Sequence, residues 1–381
     1  MKNLLRSVAV LVTLLIVLVG ALYIERGTAV PLADRSTPAA MSFDRVERVV
    51  DLDYPPGNIA VSPEGRIFFT LHPDGRPPRQ VVELVDGTPV PYPNEDFQHE
   101  SETLPFFQSI LAIRIDRQNR LWVLDFAEFG RGTPRILAFD LASANLVHEY
   151  QFPANVAGLG SMLNDFQVDA EGRYLFIAET SPLLQQPAIV VYDSIEKKSW
   201  RRLQSHPSVA AEELLITVGR RPMMLPGGFL PLRIAVDSIA LSRDGQWLYY
   251  GAVNGSRLYR VPADALTDET VSAEALAAKV ENFASKSLSD GLTTDDAGNI
   301  YLSDMEHSAV HRMTPDGNLE TLISDPLLRW PDGFSFGPDG SLFVTCSALQ
   351  DVLFRSDESV RAHAPYQIWK FQPGATAAAG H

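Results

Sequence analysis

The sequence predicts an all-β protein, a six-bladed β-propeller that follows an N-terminal signal or anchor helix. Three observations support this fold: hairpin-like segments recur along the chain, third and fourth strand-like segments follow most of them, and the recurrence has the length of a propeller blade. Each hairpin alternates apolar and polar residues on both sides of a tight turn. The six hairpins lie at residues 59–70, 111–125, 165–177, 238–250, 291–304 and 333–346.

The turn of every hairpin is centred on a residue that tolerates a positive φ, as a reversal between two strands requires. These turn residues are Gly65, Asn119, Gly172, Gly245, Gly298 and Gly340. They lie 54, 53, 73, 53 and 42 residues apart, which is a loosely kept blade spacing. Blades stacked around an axis expose only short sheet edges, so a long all-β chain can stay soluble.

The remaining strands complete most of the blades. Third strands are predicted at residues 135–139, 188–192, 257–261, 310–313 and 367–371, and weaker fourth strands at 146–152, 198–203, 280–283 and 319–323. Blade six has only three strands after Gly333, so we expect residues 46–52 to supply its fourth strand and close the ring. Two long segments, residues 73–107 and 206–232, are expected to be loops that act as functional lids.

The N-terminal residues indicate export. We predict a signal peptide or membrane anchor at residues 1–25, a linker at 26–42, the propeller at 43–373 and a tail at 374–381. Lys2 and Arg6 precede an apolar run of 17 residues, 8–24, which fits either a short membrane span or a long cleaved signal. The basic flank would keep that end in the cytoplasm and place the propeller outside. The protein is therefore expected to be extracytoplasmic, either secreted or periplasmic, or membrane-anchored if the segment is not cleaved.

Composition narrows the classes of partner. The single cysteine, Cys346, excludes internal disulfides and is expected to be a buried, inert thiol. The net charge of −15 argues against nucleic acid and anionic lipid as partners of the domain and is compatible with a monomer that binds a small molecule or a cation. No nucleophile elbow, phosphate loop or dinucleotide fingerprint occurs, which disfavours serine hydrolases and nucleotide-dependent enzymes.

A ring of polar residues is predicted at the propeller axis. The first strand of each blade begins beside the axis, so residues at equal offset before the six turns should lie together. Eight positions before the turns stand Gly57, Leu111, Asn164, Asp237, Asp290 and Asp332. Asn58 in blade one and Asp165 in blade three, each one position further along the chain, extend this set. The predicted ligand-binding residues are Asn58, Asn164, Asp165, Asp237, Asp290 and Asp332.

This ring has two interpretations. With no Lys or Arg in register the carboxylates would repel one another, and a hard cation would relieve the repulsion through oxygen ligands. Calcium, or another divalent cation, is then expected at four of these residues, Asn164, Asp237, Asp290 and Asp332. Alternatively, these residues form turns in which the side chain caps loop backbone.

Other candidate residues carry weaker signals. His307 and His311 are four residues apart but span a strand connection, which makes zinc binding a minor alternative. Asp125 and Asp304 share the same offset after their turns and are expected to stabilise bends.

Several motifs together carry a family resemblance. They are Leu-Trp-Val-Leu-Asp at 121–125, Pro-Arg-Ile-Leu-Ala-Phe-Asp-Leu at 134–141, Met-Leu-Asn-Asp at 162–165, Ala-Ile-Val-Val-Tyr-Asp at 188–193, Ser-Trp-Arg at 199–201, His-Pro at 206–207, Asp-Gly-Leu at 290–292 and Trp-Pro-Asp-Gly at 330–333. Over residues 49–349 their identity and order resemble the yellow and major royal jelly protein family.

The resemblance implies a fold related to the six-bladed lactonases of the gluconolactonase and regucalcin type. In those enzymes Glu, Asn and Asp hold an axial divalent cation, and Asn164 and Asp290 resemble the Asn and Asp ligands. Gly57 and Asn58 stand where the acidic first-blade ligand is expected, and insect relatives carry disulfides that this chain lacks. Some of those relatives bind small aromatic amines.

Three functions follow as expectations. The first is an exported propeller that binds a small molecule at the axial face, with calcium as a possible cofactor. The second is a divalent-metal-dependent lactonase of the gluconolactonase type, and the third is a protein-interaction platform. Whether the protein is an enzyme stays open at this point.

Overall fold

Six antiparallel sheets of four strands each surround a central axis, which confirms the predicted six-bladed β-propeller. The structure is a computed structural model that describes residue 7 and residues 27–102 and 105–377. The apolar run at residues 8–24, predicted as a signal or anchor, lies outside the described residues. No helix in the described ranges is long and apolar enough to cross a membrane.

The first three blades follow one another along the chain. Blade one comprises Pro56–Val61, Ile67–Leu71, Val81–Val85 and Thr88–Pro91. Blade two comprises Ile110–Ile115, Arg120–Asp125, Arg135–Asp140 and Leu146–Gln151. Blade three comprises Leu163–Val168, Tyr174–Glu179, Ala188–Asp193 and Lys198–Arg202.

The last three blades complete the ring. Blade four comprises Val236–Leu241, Trp247–Ala252, Arg257–Pro262 and Glu281–Ser285. Blade five comprises Leu292–Thr294, Ile300–Asp304, Ala309–Met313 and Leu319–Ser324. Blade six comprises Pro331–Phe336, Leu342–Cys346, Tyr366–Phe371 and, from the N-terminal side of the chain, Glu47–Leu52.

Short elements occupy the connections between these strands. Three two-residue strands lie between blades three and four, and one lies near the start of the described chain: Leu214–Leu215, Thr217–Val218, Arg221–Pro222 and Val30–Pro31. The described α-helices are Ala127–Gly130, Ala263–Thr267, Ala273–Ala277 and Asp357–Ala362. The 3₁₀ helices are Phe43–Arg45, Pro73–Gly75, Asp96–Gln98 and Leu349–Asp351.

The turns between first and second strands have the predicted backbone conformation. All six turn residues have positive φ, from 61° at Asn119 to 84° at Gly65. First strands of neighbouring blades contact one another, so these strands line the axis. Each first strand runs away from the cavity described below, which places its starting residues at one end of the propeller and the six turns at the other.

Ring closure also follows the prediction. Glu47–Leu52 pairs antiparallel with Tyr366–Phe371, with Leu52 opposite Tyr366 and Glu47 opposite Lys370. Val50 and Leu52 are buried in the core of the molecule. The N-terminal strand therefore covers the edge of blade six and joins the two ends of the propeller.

The prediction of a long loop at residues 73–107 is wrong in its central part. Val81–Val85 and Thr88–Pro91 are the third and fourth strands of blade one, joined at Asp86 and Gly87, which both have positive φ. Pro89 and Pro91 obscured the fourth strand in the sequence. An outermost strand tolerates proline because one side of it has no neighbour that needs its backbone N–H groups.

The segment expected to be a linker, residues 26–42, is bound to the propeller where it is described. Val30–Pro31 pairs in parallel with Leu214–Leu215 at the cavity end. Further along, the backbone N–H of Ala40 donates to the carbonyl of Thr321 in the outermost strand of blade five. We call residues 28–41 the strap, since they run from the cavity end along the outermost strand of blade five.

Candidate functional site

All six predicted ligand-binding residues line one cavity of about 370 Å³ at the end of the axis where the first strands begin. Asn58, Asn164, Asp165, Asp237 and Asp290 are buried, whereas Asp332 remains partly exposed. The polar side chains form the floor of the cavity because each lies at or near the start of a first strand. The polar residues at equal offset before the turns, with Asn58 and Asp165 beside them, therefore lie together at one end of the axis, as predicted.

One half of the floor is electrically neutralised. The guanidinium of Arg114 donates from Nη2 to both carboxylate oxygens of Asp165 at 3.2 Å, and from Nη1 to Oδ1 of Asn58. The Nδ2 of Asn58 in turn donates to Asp165 at 2.9 Å. Arg114, Asn58 and Asp165 therefore form a closed hydrogen-bond network in a buried setting, in which Nε of Arg114 has no partner among the described residues.

No Lys or Arg stands at the equal offset before the turns, but Arg114 reaches the axial carboxylates from another position. Arg114 lies farther along the first strand of blade two, in the otherwise apolar sequence Ile-Leu-Ala-Ile-Arg-Ile. An arginine inside a fully buried strand was the available signal, since a buried charge needs a partner. Its partner could not be identified from the sequence because Asp165 is 51 residues away.

The other half of the floor has no such hydrogen-bonded counterion, although the charge of the buried Lys286 acts on Asp290 and lowers its pKa. Within the described ranges Asp237, Asp290 and Asp332 form no ion pair with a Lys or Arg side chain. Asp237 accepts a hydrogen bond of 2.6 Å from Nδ2 of Asn164, and Asp290 accepts one of 2.6 Å from Nε1 of Trp330. We call Asn164, Asp237, Asp290 and Asp332 the acidic floor; they are the four residues predicted as metal ligands.

Burial and mutual repulsion raise the pKa of each carboxyl group on the acidic floor. Burial is the main cause for Asp237 and Asp332, followed by the charge of Asp290, and it holds the pKa of both well above the usual value. For Asp290 burial again dominates, and the charge of Asp165 adds to it, so its pKa reaches about 6 despite the bond from Trp330. Each of these carboxyl groups therefore resists ionisation, and a cation bound beside them would favour their ionised forms.

The walls of the cavity are mainly apolar. Leu225, Leu230 and Leu232 come from the segment at residues 206–232, which confirms that this long connection covers the axis. Blade six adds a second apolar wall from the connection between its second and third strands, and blade three contributes through the same type of connection. These residues are Leu349, Leu353, Phe354, Pro182 and Leu183. Of the described residues in the segment at 73–107, expected as a second lid, only Asp74 lines the cavity.

The acidic floor offers the oxygen donors that a hard cation requires, but it is not arranged around a single point. No group of three or more His, Cys, Asp or Glu in the described part of the chain is placed to hold a metal ion. Asn164 currently uses its amide N–H to bind Asp237. A cation at the floor would therefore turn these side chains so that their oxygens face it, and the ligand set stays a prediction.

The remaining candidates have structural roles. Asp125 accepts hydrogen bonds from the backbone N–H groups of Gln108, Ser109 and Ala127, as expected for a residue that stabilises a bend. Cys346 is buried, and burial raises the pKa of its thiol far above the usual value, which confirms the expectation of an inert cysteine.

The histidine pair of blade five is bound to a carboxylate. Asp304 lies 3.0 Å from a ring nitrogen of both His307 and His311, and it also accepts the backbone N–H groups of Glu306 and His307. Asp304 therefore stabilises a bend, as predicted, and holds both histidines in place. Neither histidine lines the axial cavity.

Comparisons with known proteins agree with this architecture. A family model of the major royal jelly proteins matches residues 108–344. No curated protein matches the chain significantly in sequence. Among solved structures, a gluconolactonase from Xanthomonas campestris superposes with a TM-score of 0.54 at 15% identity, covering 91% of this chain and 98% of the other.

Two further structures are similar to the same extent. A luciferin-regenerating enzyme superposes with a TM-score of 0.56 at 14% identity, covering 88% of this chain and 97% of its own. A regucalcin from Agrobacterium tumefaciens, described as a calcium-binding protein, gives a TM-score of 0.52 at 16% identity, with coverages of 85% and 93%. At these identities the comparisons establish a shared fold.

Proposed function

The chain belongs to the major royal jelly protein family, and we propose that it is an exported propeller that binds a small molecule with an apolar body in the axial cavity. A positive charge completes the site at the acidic floor, supplied by Ca²⁺ or by an ammonium group of the ligand itself. The single observation that carries the proposal is the acidic floor beneath apolar walls, whose carboxyl groups have raised pKa values and no ion-pair partner among the described residues.

The charge distribution favours a cationic occupant over a neutral one. A cation near Asp237, Asp290 and Asp332 would relieve the repulsion that raises their pKa values, and this relief would add to the binding free energy. The apolar walls would bury the rest of the ligand and supply most of the affinity by the hydrophobic effect. Arg114 would keep the cation away from Asp165, since it already occupies that carboxylate.

If the cation is Ca²⁺, its ligands would be the carboxylate oxygens of Asp237, Asp290 and Asp332 and the amide oxygen of Asn164. Bound there, the ion would supply a fixed positive charge that a polar group of the ligand can contact. The regucalcin with a similar fold is described as calcium-binding, and this supports calcium over other divalent cations.

Export is proposed from the sequence of residues 1–25. Two basic residues precede the apolar run at 8–24, an order that directs the following domain across a membrane. The propeller would then be extracytoplasmic, whether the segment is cleaved or stays as an anchor. Reading the N-terminal residue of the mature protein by mass spectrometry decides between these two forms.

Binding can be tested by calorimetry with a charged and an uncharged probe of the same shape. We expect 2-phenylethylamine to bind the calcium-free protein and 2-phenylethanol to bind at least about tenfold more weakly, a difference of 1.4 kcal/mol. If both probes fail to bind and calcium also fails, the proposal is wrong. If calcium binds and weakens the amine, both compete for the acidic floor.

A metal-dependent lactonase is the second candidate, favoured by one observation. The pKa of Asp290, about 6, lies close to neutral pH, where a general base works best. Blade one argues against a lactonase. Asn58 stands where an acidic metal ligand is expected in a lactonase of this type, and Arg114 donates a hydrogen bond to it. Turnover of a panel of lactones with calcium, and its loss with a chelator, would support this candidate over simple binding.

A further inference from the structure

Exposed leucine and phenylalanine side chains are concentrated at the cavity end of the propeller. Among the described residues, all exposed Leu and Phe lie in connections that leave a second or a fourth strand, and these connections are at the cavity end. They are Leu159, Leu183, Leu184, Phe229, Leu327 and Phe354, each between 49% and 70% exposed. We call these six residues the apolar rim.

The opposite end of the molecule has a different character. Val85 and Ile195 lie in or beside connections between third and fourth strands, which are at the end away from the cavity. The other exposed large apolar residues outside the cavity end, Val90 and Val147, lie on outermost strands. Single exposed apolar side chains are normal on a soluble protein, whereas a ring of them around a cavity needs an explanation.

The apolar rim continues into the cavity. Leu183 and Phe354 are exposed at the rim and also line the cavity wall. Phe229 lies between the wall residues Leu225 and Leu230 in the same connection. An apolar molecule could therefore pass from the rim to the acidic floor without leaving an apolar surface.

The strap brings the N-terminal side of the chain to the same end. The carbonyl of Thr28 accepts a hydrogen bond from Arg233, a residue of the cavity wall, and Val30 pairs with Leu214. The apolar run at residues 8–24 ends only four residues before Thr28. The described range 27–102 therefore begins at the end of the propeller that carries the apolar rim, and in the sequence the apolar run directly precedes this point.

We propose that the apolar rim lies on a phospholipid bilayer, so that the mouth of the axial cavity opens into the membrane interface and takes its ligand from the lipid phase. This inference rests on the proposed function for the nature of the ligand, an amphiphile with an apolar body and a cationic group. Leucine and phenylalanine are the side chains that insert into the boundary between headgroups and acyl chains. The net charge of −15 favours a zwitterionic over an anionic lipid surface.

The proposal can be tested with single labels at the two ends of the full-length protein. Phe229→Cys and Leu327→Cys place a thiol on the apolar rim, and Val85→Cys and Ile195→Cys place matched controls away from it. The native Cys346 is 1% exposed and will not compete for the label. Each variant carries a polarity-sensitive fluorophore and is reconstituted into phosphatidylcholine vesicles that contain spin-labelled lipid.

Rim labels should shift to shorter emission wavelength in vesicles and lose most of their fluorescence to the spin-labelled lipid, while control labels keep theirs. Equal quenching at both ends, no quenching at either, or failure of the protein to float with the vesicles would overturn the proposal. If rim labels in detergent become shielded from water as the protein concentration increases, the apolar rim binds a second copy of this chain instead of a bilayer.

The two proposals can fail separately. Binding of Ca²⁺ or 2-phenylethylamine is measured on the detergent-solubilised parent protein, where no bilayer is present. Retained binding together with unquenched rim labels would overturn only the membrane contact. Quenched rim labels without any binding at the floor would overturn the proposed function and leave the membrane contact in place.

Discussion

The guanidinium of Arg114 binds both carboxylate oxygens of Asp165 at 3.2 Å, with both side chains almost fully buried at the propeller axis. This pair divides the polar floor of the cavity into a neutralised half and an acidic half. Asp165 is paired, whereas Asp237, Asp290 and Asp332 repel one another. Arg114 therefore limits a cation to the acidic half of the floor. Comparing residues at equal distance before the turns did not identify this arginine.

Removing Arg114 should destabilise the protein strongly. Arg114→Met leaves the buried charge of Asp165 without its partner, and loss of one member of a buried pair costs about 3–5 kcal/mol. The free energy of unfolding, measured by urea denaturation, should fall by that amount. The matched control is Arg79→Met, which breaks an exposed pair with Glu95 and should cost less than about 1 kcal/mol.

A double variant tests whether the unpaired charge of Asp165 causes this loss of stability. If repulsion by an unpaired Asp165 explains the loss, Arg114→Met combined with Asp165→Asn should be more stable than Arg114→Met alone. Additive losses in the double variant would contradict the pairing as the source of the effect.

Closure of the ring should depend on the strand Glu47–Leu52. A chain that begins at Asp53 loses the buried side chains of Val50 and Leu52 and exposes the edge of blade six. Burial of each side chain contributes about 1.5–3 kcal/mol, so the loss should reach several kcal/mol and lead to aggregation. A chain that begins at Ser42 keeps this strand and should remain folded. Equal melting temperatures of the two chains would contradict the closure.

Stability should fall at alkaline pH because of His307. Its hydrogen bond and charge interaction with Asp304 raise the pKa of His307 from 6.5 to about 9. A raised folded-state pKa stabilises the fold fully below pH 6.5, and this stabilisation disappears as the pH rises through about 9. The melting temperature of the parent should therefore drop between pH 7 and pH 10.

The variant His307→Gln should start from a lower melting temperature at pH 7 and lose less of it by pH 10. His99→Gln is the control, since His99 pairs with Glu95 on the surface and is 61% exposed. A pH slope that is the same in His307→Gln and the parent would assign the alkaline loss to other groups.

Proton release should accompany cation binding at the floor. The folded-state pKa of Asp290 is raised from 3.8 to about 6. In the cation-free protein, protonation of Asp290 therefore stabilises the fold fully below pH 3.8, and this stabilisation is lost as the pH rises through about 6. A cation binds the ionised form. Its affinity should therefore be at least about tenfold weaker at pH 5 than at pH 7, because Asp290 alone releases about one proton and the raised pKa values of Asp237 and Asp332 add to this release. Calorimetric titrations at the two pH values measure this ratio.

Much of the fold could be predicted from the sequence, because six turn residues recur along it and the strands beside them alternate apolar and polar residues. The outer strands of blade one were missed because Pro89 and Pro91 are typical of loops as well as of edge strands. The strap was missed because two-residue pairing and isolated backbone hydrogen bonds leave no periodic pattern. Four polar residues of the cavity floor were predicted from their equal offset and two, Asn58 and Asp165, as neighbours of that position, while the apolar walls depend on how distant connections pack.

The most direct test of the account is the effect of calcium on the parent protein and on Asp290→Asn, measured by thermal unfolding at pH 7. At about one hundred times its dissociation constant, a ligand that binds only the folded state stabilises it by about 2.7 kcal/mol. The parent should gain this stability and lose it with a chelator, and Asp290→Asn should respond weakly while being more stable than the parent without calcium. A parent indifferent to both calcium and 2-phenylethylamine, together with destabilisation by Asp290→Asn, would contradict the account and leave the acidic floor as a structural network of side-chain hydrogen bonds.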